Sequence, residues 1–370
     1  MVDLDLLFFN IGAFICAVFV IDHGADRFID NTVVVARRLG LNETLIALLT
    51  AGAEWEELAV VIAALAQHSP SLALGNIIGS CISNILGAFS LGLLFRPFAE
   101  FDRSARVYSL VQLAITIAVV ISLATAGPAR MGKIGGGVLV TSFVIYVLSI
   151  AWSIYRGIVK LPEGEQSDSD GDSVESGSPS IGRAPSIVSS HTASDDSLIE
   201  GRAHESHAAI PVGRKGRHLR YYILQIMIGF LALSLSGYVL SHSASSIASL
   251  LGVSETIVGL TVLSFATTLP EKFVSLISGS RGHSGVLVAA TAGSNIFLLT
   301  LCIGVALLGA EKWPPAQELM TGEISFLCTS AGIFTTVVWI GTTRWIGILI
   351  FAGYVAFLVL ELTIDRKSVV

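Results

Sequence analysis

Two short stretches decide the fold: Leu39-Gly40-Leu41-Asn42-Glu43-Thr44 in the first half of the chain and Leu251-Gly252-Val253-Ser254-Glu255-Thr256 in the second. Each copy of this LGxxET sequence precedes an apolar stretch that contains Glu57 in the first half and Glu271 in the second. A Gly-Ser pair begins 22 residues after each of these two glutamates. The same motifs, in the same order and at nearly the same spacing, indicate an internal repeat.

The composition predicts an all-α membrane protein. Hydrophobic residues make up 53% of the 370 residues and charged residues only 14%, with a mean hydropathy of +0.75, whereas soluble domains carry about 25% charged residues. Apolar runs recur along the chain, each near the length of about 20 residues that a helix needs to cross a bilayer. We predict ten transmembrane helices, at residues 6–36, 42–67, 71–95, 105–126, 134–156, 219–246, 254–280, 284–309, 323–342 and 344–363.

A segment of different composition separates the two halves. Residues 161–218 are rich in Ser, Asp and Gly and almost lack large apolar residues, so we predict a disordered segment there. The first five-helix repeat is then 1–160 and the second is 219–370. Because five crossings are an odd number, the second repeat must enter the membrane from the opposite face, and such inverted repeats place their substrate site near the midplane.

The distribution of positive charge predicts the orientation. Five Lys or Arg residues lie between positions 37 and 106, in or beside the short loops that share a side with residues 161–218. Since basic loops stay in the cytosol, the central segment is predicted to be cytosolic and the N-terminus exterior or lumenal. The net charge of −6 and the absence of a basic stripe argue against a nucleic-acid partner. All four cysteines lie in apolar segments, which indicates packing and not disulfides.

Glu57 and Glu271 are the strongest candidates for function, because each lies within an apolar helix. An ionised carboxylate there costs about 2.5–3.5 kcal/mol on insertion scales, so it should face a partner or a cavity. Two facing carboxylates form a hard anionic site that suits Ca²⁺ with its oxygen ligands. The alternative is that each glutamate lies at a helix end and reaches the membrane interface.

Oxygen ligands of other kinds accompany the two glutamates. Thr267 and Thr268 precede Pro270, and a proline inside a helix frees carbonyl groups on its N-terminal side. A simple proline kink is the alternative. In the first half, small residues at spacing four form a ridge that allows close helix packing, and next to it lies a polar stripe, also at spacing four, made of Asn76, Ser80 and Asn84.

These motifs resemble a known family. Thr267-Thr268-Leu269-Pro270-Glu271 and Gly293-Ser294-Asn295-Ile296-Phe297 look like the alpha-repeat signatures of cation/calcium exchangers of the sodium/calcium type, and Leu74–Ser80 is similar to the family's other signature block. The resemblance implies cation antiport without a cofactor, in which both repeat glutamates bind Ca²⁺ and nearby hydroxyl, carbonyl and amide oxygens bind Na⁺. Together with the polar stripe, it gives nine candidate ligands: Glu54, Glu57, Asn76, Ser80, Asn84, Thr267, Thr268, Glu271 and Ser294.

The first repeat departs from the family pattern. Ala53-Glu54-Trp55-Glu56 stands where the family has Thr-Ser-Leu-Pro, so two hydroxyls and a proline are replaced and two carboxylates are added. Leu298 stands where the repeat predicts a polar ligand opposite Asn84, and Lys272 directly follows the second glutamate. Because several expected Na⁺ ligands are absent, the sequence leaves the coupling ion open.

Three hypotheses for function follow. The first is a secondary active antiporter that exchanges Ca²⁺, or a related cation, for Na⁺ or H⁺ by alternating access. The second is H⁺ coupling without Na⁺ dependence, in which Glu54 and Glu57, one helical turn apart, share a proton; alternatively Glu54 points to the cytosol or to a salt-bridge partner. The third is a non-transporting membrane protein whose cytosolic segment docks an adaptor or a kinase, at Arg183-Ala184-Pro185-Ser186 for example.

Overall fold

The computed structural model describes residues 3–38, 54–95, 101–155, 219–310, 321–341 and 343–368. Every regular element in these ranges is helical, which confirms the predicted all-α class. The predicted loop at 161–218 and the first LGxxET copy at 39–44 lie outside the described residues.

The helices are numbered in chain order. They are α1 (Leu4–Arg38), α2 (Trp55–Ala66), α3 (Pro70–Ile82), α4 (Ser90–Phe95), α5 (Arg103–Tyr155), α6 (Leu219–Leu251), α7 (Glu255–Val258), α8 (Ser264–Thr267), α9 (Leu269–Arg281), α10 (Ser284–Phe297), α11 (Ile303–Gly309), α12 (Thr321–Ile340) and α13 (Arg344–Ser368). Three π-helical segments join consecutive helices: Ser83–Phe89 between α3 and α4, Gly259–Leu263 between α7 and α8, and Leu298–Cys302 between α10 and α11. Such π segments interrupt the α-helical hydrogen-bond pattern and occur frequently at functional sites.

The described residues contain eight helices long and apolar enough to cross a membrane, and a ninth if one bent pair counts as a single span. The ends of these nine spans agree with nine of the predicted spans to within seven residues. The remaining predicted span, 42–67, lies partly outside the described residues, so the count of ten is not established. The fourth and fifth spans both lie within α5, where Gly132 adopts a positive φ of 50° between them.

Burial separates the core of the bundle from its lipid-facing rim. In the apolar part of each span, 89% of the residues are buried for Pro70–Leu94 and 72% for Ser284–Gly309, whereas only 6% are buried for Arg130–Ser149. Helices α1 and α6 pack along each other, and α1 exposes large apolar side chains such as Phe9 and Phe19. In a bilayer, apolar side chains on that rim contact lipid. The signature motifs Leu74–Ser80 and Gly293–Phe297 lie in the two most buried spans, and therefore at the centre of the protein.

The two repeats touch through a close backbone crossing of α3 with residues 255–263. A Cβ on Gly75 would lie 2.3 Å from the carbonyl oxygen of Thr256, and one on Gly79 would lie 2.2 Å from that of Leu260. Neither position has room for a side chain, which explains the small residues of the predicted ridge. The crossing brings the polar stripe of the first repeat next to the threonines of the second.

Candidate cation site

The site forms where α2 and α3 of the first repeat meet the break between α8 and α9 of the second. The two parts of this helix, Glu255–Thr267 and Leu269–Arg281, are bent by 48°. Thr268 lies at the bend with φ −89° and ψ 16°, and Pro270 opens the first turn of α9. Because proline has no N–H to donate, the backbone hydrogen-bond ladder is interrupted here, as the sequence predicts.

Glu57 is the most fully hydrogen-bonded carboxylate of the site. Its side chain is 1% exposed. Oε1 accepts hydrogen bonds from Ser80 Oγ at 2.7 Å and from Thr267 Oγ1 at 2.6 Å, and Oε2 accepts from Asn76 Nδ2. Thr267 belongs to the second repeat, so a single carboxylate joins the signature motifs of both halves.

Glu54 forms a second cluster. Its side chain is 3% exposed, Oε1 accepts a hydrogen bond from Asn84 Nδ2 at 2.9 Å, and the Ser294 hydroxyl of the second repeat lies next to it. The other oxygen, Oε2, is buried and has no hydrogen-bond partner among the described residues. Glu54 therefore points into the protein between the repeats, and not toward the surface.

Glu271 completes the anionic group from the second repeat. It interacts electrostatically with both Glu54 and Glu57, and its Oε2 is also buried without a partner in the described part of the chain. Glu56, a carboxylate that the sequence did not assign to the site, is 9% exposed and interacts electrostatically with Glu271.

A cavity of about 310 Å³ lies against these carboxylates. It is lined by residues of both repeats: Asp26, Glu54, Asn84, Ala88, Pro270, Glu271, Val274, Ser275, Ala290, Thr291 and Ser294. From Glu54 and Glu271 the lining follows α9 toward its C-terminus and α10 toward its N-terminus. The cavity thus extends from the carboxylates toward the membrane side on which the loop at 282–283 lies, and away from the glycine crossing.

The unpartnered polar atoms of the site are all acceptors. Among the described residues, Glu54 Oε2, Asn76 Oδ1, Asn84 Oδ1 and Glu271 Oε2 are buried without a hydrogen bond. Buried polar atoms normally have a hydrogen-bond partner. Three of these four oxygens belong to residues that line the cavity, Glu54, Asn84 and Glu271, so a donor or a cation in the cavity would satisfy them.

The present arrangement is not a finished ligand shell. Within the described ranges, no group of three or more His, Cys, Asp or Glu side chains is placed to hold a metal ion together. Both oxygens of Glu57 accept hydrogen bonds from amide and hydroxyl donors of the protein. A cation that coordinates Glu57 would compete with these donors for the lone pairs of the carboxylate.

Lys272 is the residue whose role the sequence analysis missed. Its side chain is 7% exposed, and Nζ donates hydrogen bonds to Ser83 Oγ at 2.8 Å and to the carbonyl oxygen of Thr268 at 3.2 Å. Nζ also donates to Thr268 Oγ1, so the hydroxyl of this predicted ligand faces the lysine. The sequence signal was present, because a lysine directly after a buried glutamate in an apolar helix is rare, but only the bend at Thr268 determines where it points.

The nine predicted residues thus divide into three neighbouring sets. Glu57 bonds Asn76, Ser80 and Thr267. A second set lines the cavity and consists of Glu54, Asn84, Glu271 and Ser294. Thr268 stands apart with Lys272 and Ser83.

Comparisons with known proteins agree with this architecture. The sequence profile of the family described as "Sodium/calcium exchanger protein" matches residues 9–152 and 221–363. An uncharacterized membrane protein of Methanocaldococcus jannaschii is 24% identical over 352 residues, which cover 95% of this chain and 97% of the relative. A putative antiporter of Alkalimonas amylolytica is 25% identical, covering 76% of this chain and 75% of its own. A solved structure of the sodium-calcium exchanger NCX_Mj, soaked with Na⁺ and Sr²⁺, has a TM-score of 0.55 at 21% identity, covering 95% of this chain and 97% of the other, and supports the fold.

Proposed function

The chain belongs to the sodium/calcium exchanger protein family, and on that premise we propose that it exchanges Ca²⁺, or a related cation, for Na⁺ or H⁺ by alternating access at the carboxylate site between its repeats. The family makes it a multi-pass membrane protein and a cation antiporter, not an enzyme. No cofactor is needed for such exchange, because the gradient of the second ion supplies the free energy.

One observation supports this site above all others: unpartnered buried oxygens of Glu54, Asn84 and Glu271 belong to residues that line a single cavity. Ca²⁺ takes six to eight oxygen ligands from carboxylates, carbonyls, amides and water. With the hydroxyls of Ser80 and Thr267, the site offers enough oxygens of the right kinds. Its net negative charge favours a divalent cation over a monovalent one.

The hydrogen bonds of Glu57 suggest how the site changes when a cation enters. In the structure, the hydroxyls of Ser80 and Thr267 donate their hydrogens to Glu57. A hydroxyl rotates easily and carries two lone pairs. When a cation reaches Glu57, both hydroxyls can turn their lone pairs toward it, so the hydrogen-bond donors of the carboxylate become ligands of the cation.

The packing around the site supports alternating access. On one side of the carboxylates, the glycine crossing of α3 with residues 255–263 leaves no room for an ion. On the other side, the cavity extends toward the loop at 282–283, which the charge distribution places in the cytosol. We infer that this conformation faces the cytosol, and that separation of the glycine crossing opens the opposite side. Since the repeats are inverted, one half can adopt the arrangement of the other, which produces the second state.

Glu54 favours H⁺ as an alternative coupling ion, without Na⁺ dependence. It is a carboxylate where the family pattern has a hydroxyl, it is buried beside Asn84, and it lies one helical turn from Glu57. A proton shared within this pair would relieve the repulsion between like charges when no metal ion is bound. The non-transporting alternative predicts no cation movement at all.

Uptake of ⁴⁵Ca²⁺ into proteoliposomes tests the proposal. Purified protein is reconstituted and uptake is driven first by an outward Na⁺ gradient and then by an outward H⁺ gradient, with ionophore-collapsed gradients as controls. Uptake with either gradient supports exchange and identifies the coupling ion. Absence of uptake and of ⁴⁵Ca²⁺ binding under every gradient would leave the non-transporting alternative.

A further inference from the structure

A lysine ammonium group is buried inside this cation transporter, next to its carboxylates. Lys272 follows Glu271 in the first turn of α9 and is 7% exposed. A charged group in a membrane-spanning segment is costly and usually marks function. The hydrogen-bond acceptors and aromatic rings around its Nζ atom define the environment of the ammonium group.

The immediate partners of Nζ are uncharged oxygens. They are the hydroxyl of Ser83 at 2.8 Å, the carbonyl and hydroxyl oxygens of Thr268, and the carbonyl oxygen of Phe265 at 3.5 Å. The ring centroids of Phe265 and Tyr354 lie 4.8 Å and 5.9 Å from Nζ, with their faces toward it. This shell of carbonyls, hydroxyls and aromatic faces is one that also suits a bare monovalent cation.

This shell lies at the helix break. Thr268, at the bend, provides two of its oxygens, and the Thr268 carbonyl also accepts a hydrogen bond from the backbone N–H of Lys272 at 3.3 Å. The sequence predicts oxygen ligands for a cation at this break. In the structure, the lysine ammonium occupies the place next to Thr268.

The charged groups around Lys272 are arranged as around a bound cation, and not as in a salt bridge with one carboxylate. Among the described residues, no carboxylate oxygen is hydrogen-bonded to Nζ. Glu271, Glu57 and Glu54 interact with it electrostatically from farther away. The ammonium therefore offsets the negative charge of the whole carboxylate group and leaves their oxygens free for the transported ion.

We propose that Lys272 is a tethered monovalent cation, which permanently fills an oxygen-lined position beside the carboxylates and so replaces one coupling ion. This inference rests on the proposed exchange function and extends it. The competing explanation is mechanical: Lys272 holds α9 to the π-helical segment after α3 through Ser83, whose hydroxyl also lies 2.9 Å from the Tyr354 hydroxyl of α13. The two explanations differ in what happens when the charge is removed.

Equilibrium binding of ²²Na⁺ to the purified full-length chain separates them. Lys272→Met removes the ammonium and opens its oxygen shell, while Lys133→Met, at an exposed position in α5, removes the same charge far from the shell. We expect Lys272→Met to bind one more Na⁺ per chain than either the wild type or Lys133→Met. An unchanged Na⁺ count in Lys272→Met, with the variant folded, would overturn the proposal.

A second variant covers the case in which Lys272→Met does not fold. Lys272→Gln keeps a hydrogen-bond donor for the same oxygens but carries no charge. If the Lys272 ammonium replaces a bound cation, its removal makes the net charge of the site more negative by one unit. ⁴⁵Ca²⁺ should then bind at least about tenfold more tightly. Equal Ca²⁺ affinity in Lys272→Gln and wild type would support the mechanical explanation. Wild-type protein that binds no ⁴⁵Ca²⁺ would instead refute the proposed function, while the Na⁺ count would still test the lysine.

Discussion

Gly79→Ala probes the crossing that joins the two repeats. The new Cβ would lie 2.2 Å from the carbonyl oxygen of Leu260 and 2.6 Å from Ser264 Oγ. Relief requires α3 to move away from residues 259–263 by about 1 Å, because real Cβ contacts are longer than about 3 Å. Ser80 lies on α3 and Thr267 on the opposing helix, and both bond Glu57 Oε1.

The expected cost follows from that displacement. A 1 Å shift would lengthen at least one of the bonds to Glu57 beyond hydrogen-bond range, which costs about 1.5–3 kcal/mol for a charged acceptor. Overpacking adds about 1–3 kcal/mol. We therefore expect the midpoint of thermal unfolding in detergent to fall by about 5 °C or more, and Ca²⁺ uptake to fall with it.

Gly353→Ala is the matched control. Gly353 lies within α13, and a Cβ there meets no described atom within 4 Å. Since alanine favours helix by about 1 kcal/mol over glycine, this variant should be neutral or slightly more stable. If the unfolding midpoint of Gly79→Ala lay within about 2 °C of that of Gly353→Ala, a shift that corresponds to no more than about 1 kcal/mol, the close crossing would not exist as described.

Three further predictions concern coupling, the central segment and orientation. Glu54→Ser restores the hydroxyl of the family pattern and should weaken H⁺-driven Ca²⁺ uptake while strengthening Na⁺-driven uptake; identical pH dependence in variant and wild-type proteoliposomes would contradict a role in coupling. Residues 161–218 contain too few apolar residues to form a core, so replacing them with a shorter linker should leave uptake intact. A stable but inactive deletion variant would contradict this. In sealed vesicles of known orientation, an impermeant maleimide should label His68→Cys from the exterior and His283→Cys from the cytosolic side, and the reverse pattern would invert the topology.

The membrane spans could be predicted closely from the sequence, because lipid requires long apolar helices and hydropathy reports them directly. The repeat also predicted that the signature motifs of the two halves face each other. The hydrogen bond from Thr267 to Glu57 joins residues 210 positions apart. This contact could not be predicted from either stretch of sequence alone. It was predicted only in outline, because the repeated order of the motifs places the two stretches opposite each other.

Other features depend on three-dimensional detail that a sequence does not carry. Asn76 and Ser80 were predicted as ligands for an ion, whereas in the structure they are hydrogen-bond donors to Glu57. The direction of Lys272 follows from the 48° bend at Thr268, which rotates α9 relative to the helix before it. The π-helical segments leave no signal in hydropathy, because they change the hydrogen-bond pattern without changing composition.

The central claim is that one carboxylate from each repeat binds the transported divalent cation, and ⁴⁵Ca²⁺ binding to Glu57→Gln and Glu271→Gln tests it most directly. Glu255→Gln is the control, since Glu255 also accepts hydrogen bonds from hydroxyls, those of Ser69 and Ser245, but lies outside the cavity lining. Removing a carboxylate near a cation costs about 4 kcal/mol per unit of cation charge at surface-like screening, so affinity should fall by about 1,000-fold or more in both site variants. Glu255→Gln should bind Ca²⁺ as the wild type does. If Glu57→Gln or Glu271→Gln retained wild-type affinity and uptake while correctly folded, the carboxylates would not be the cation site.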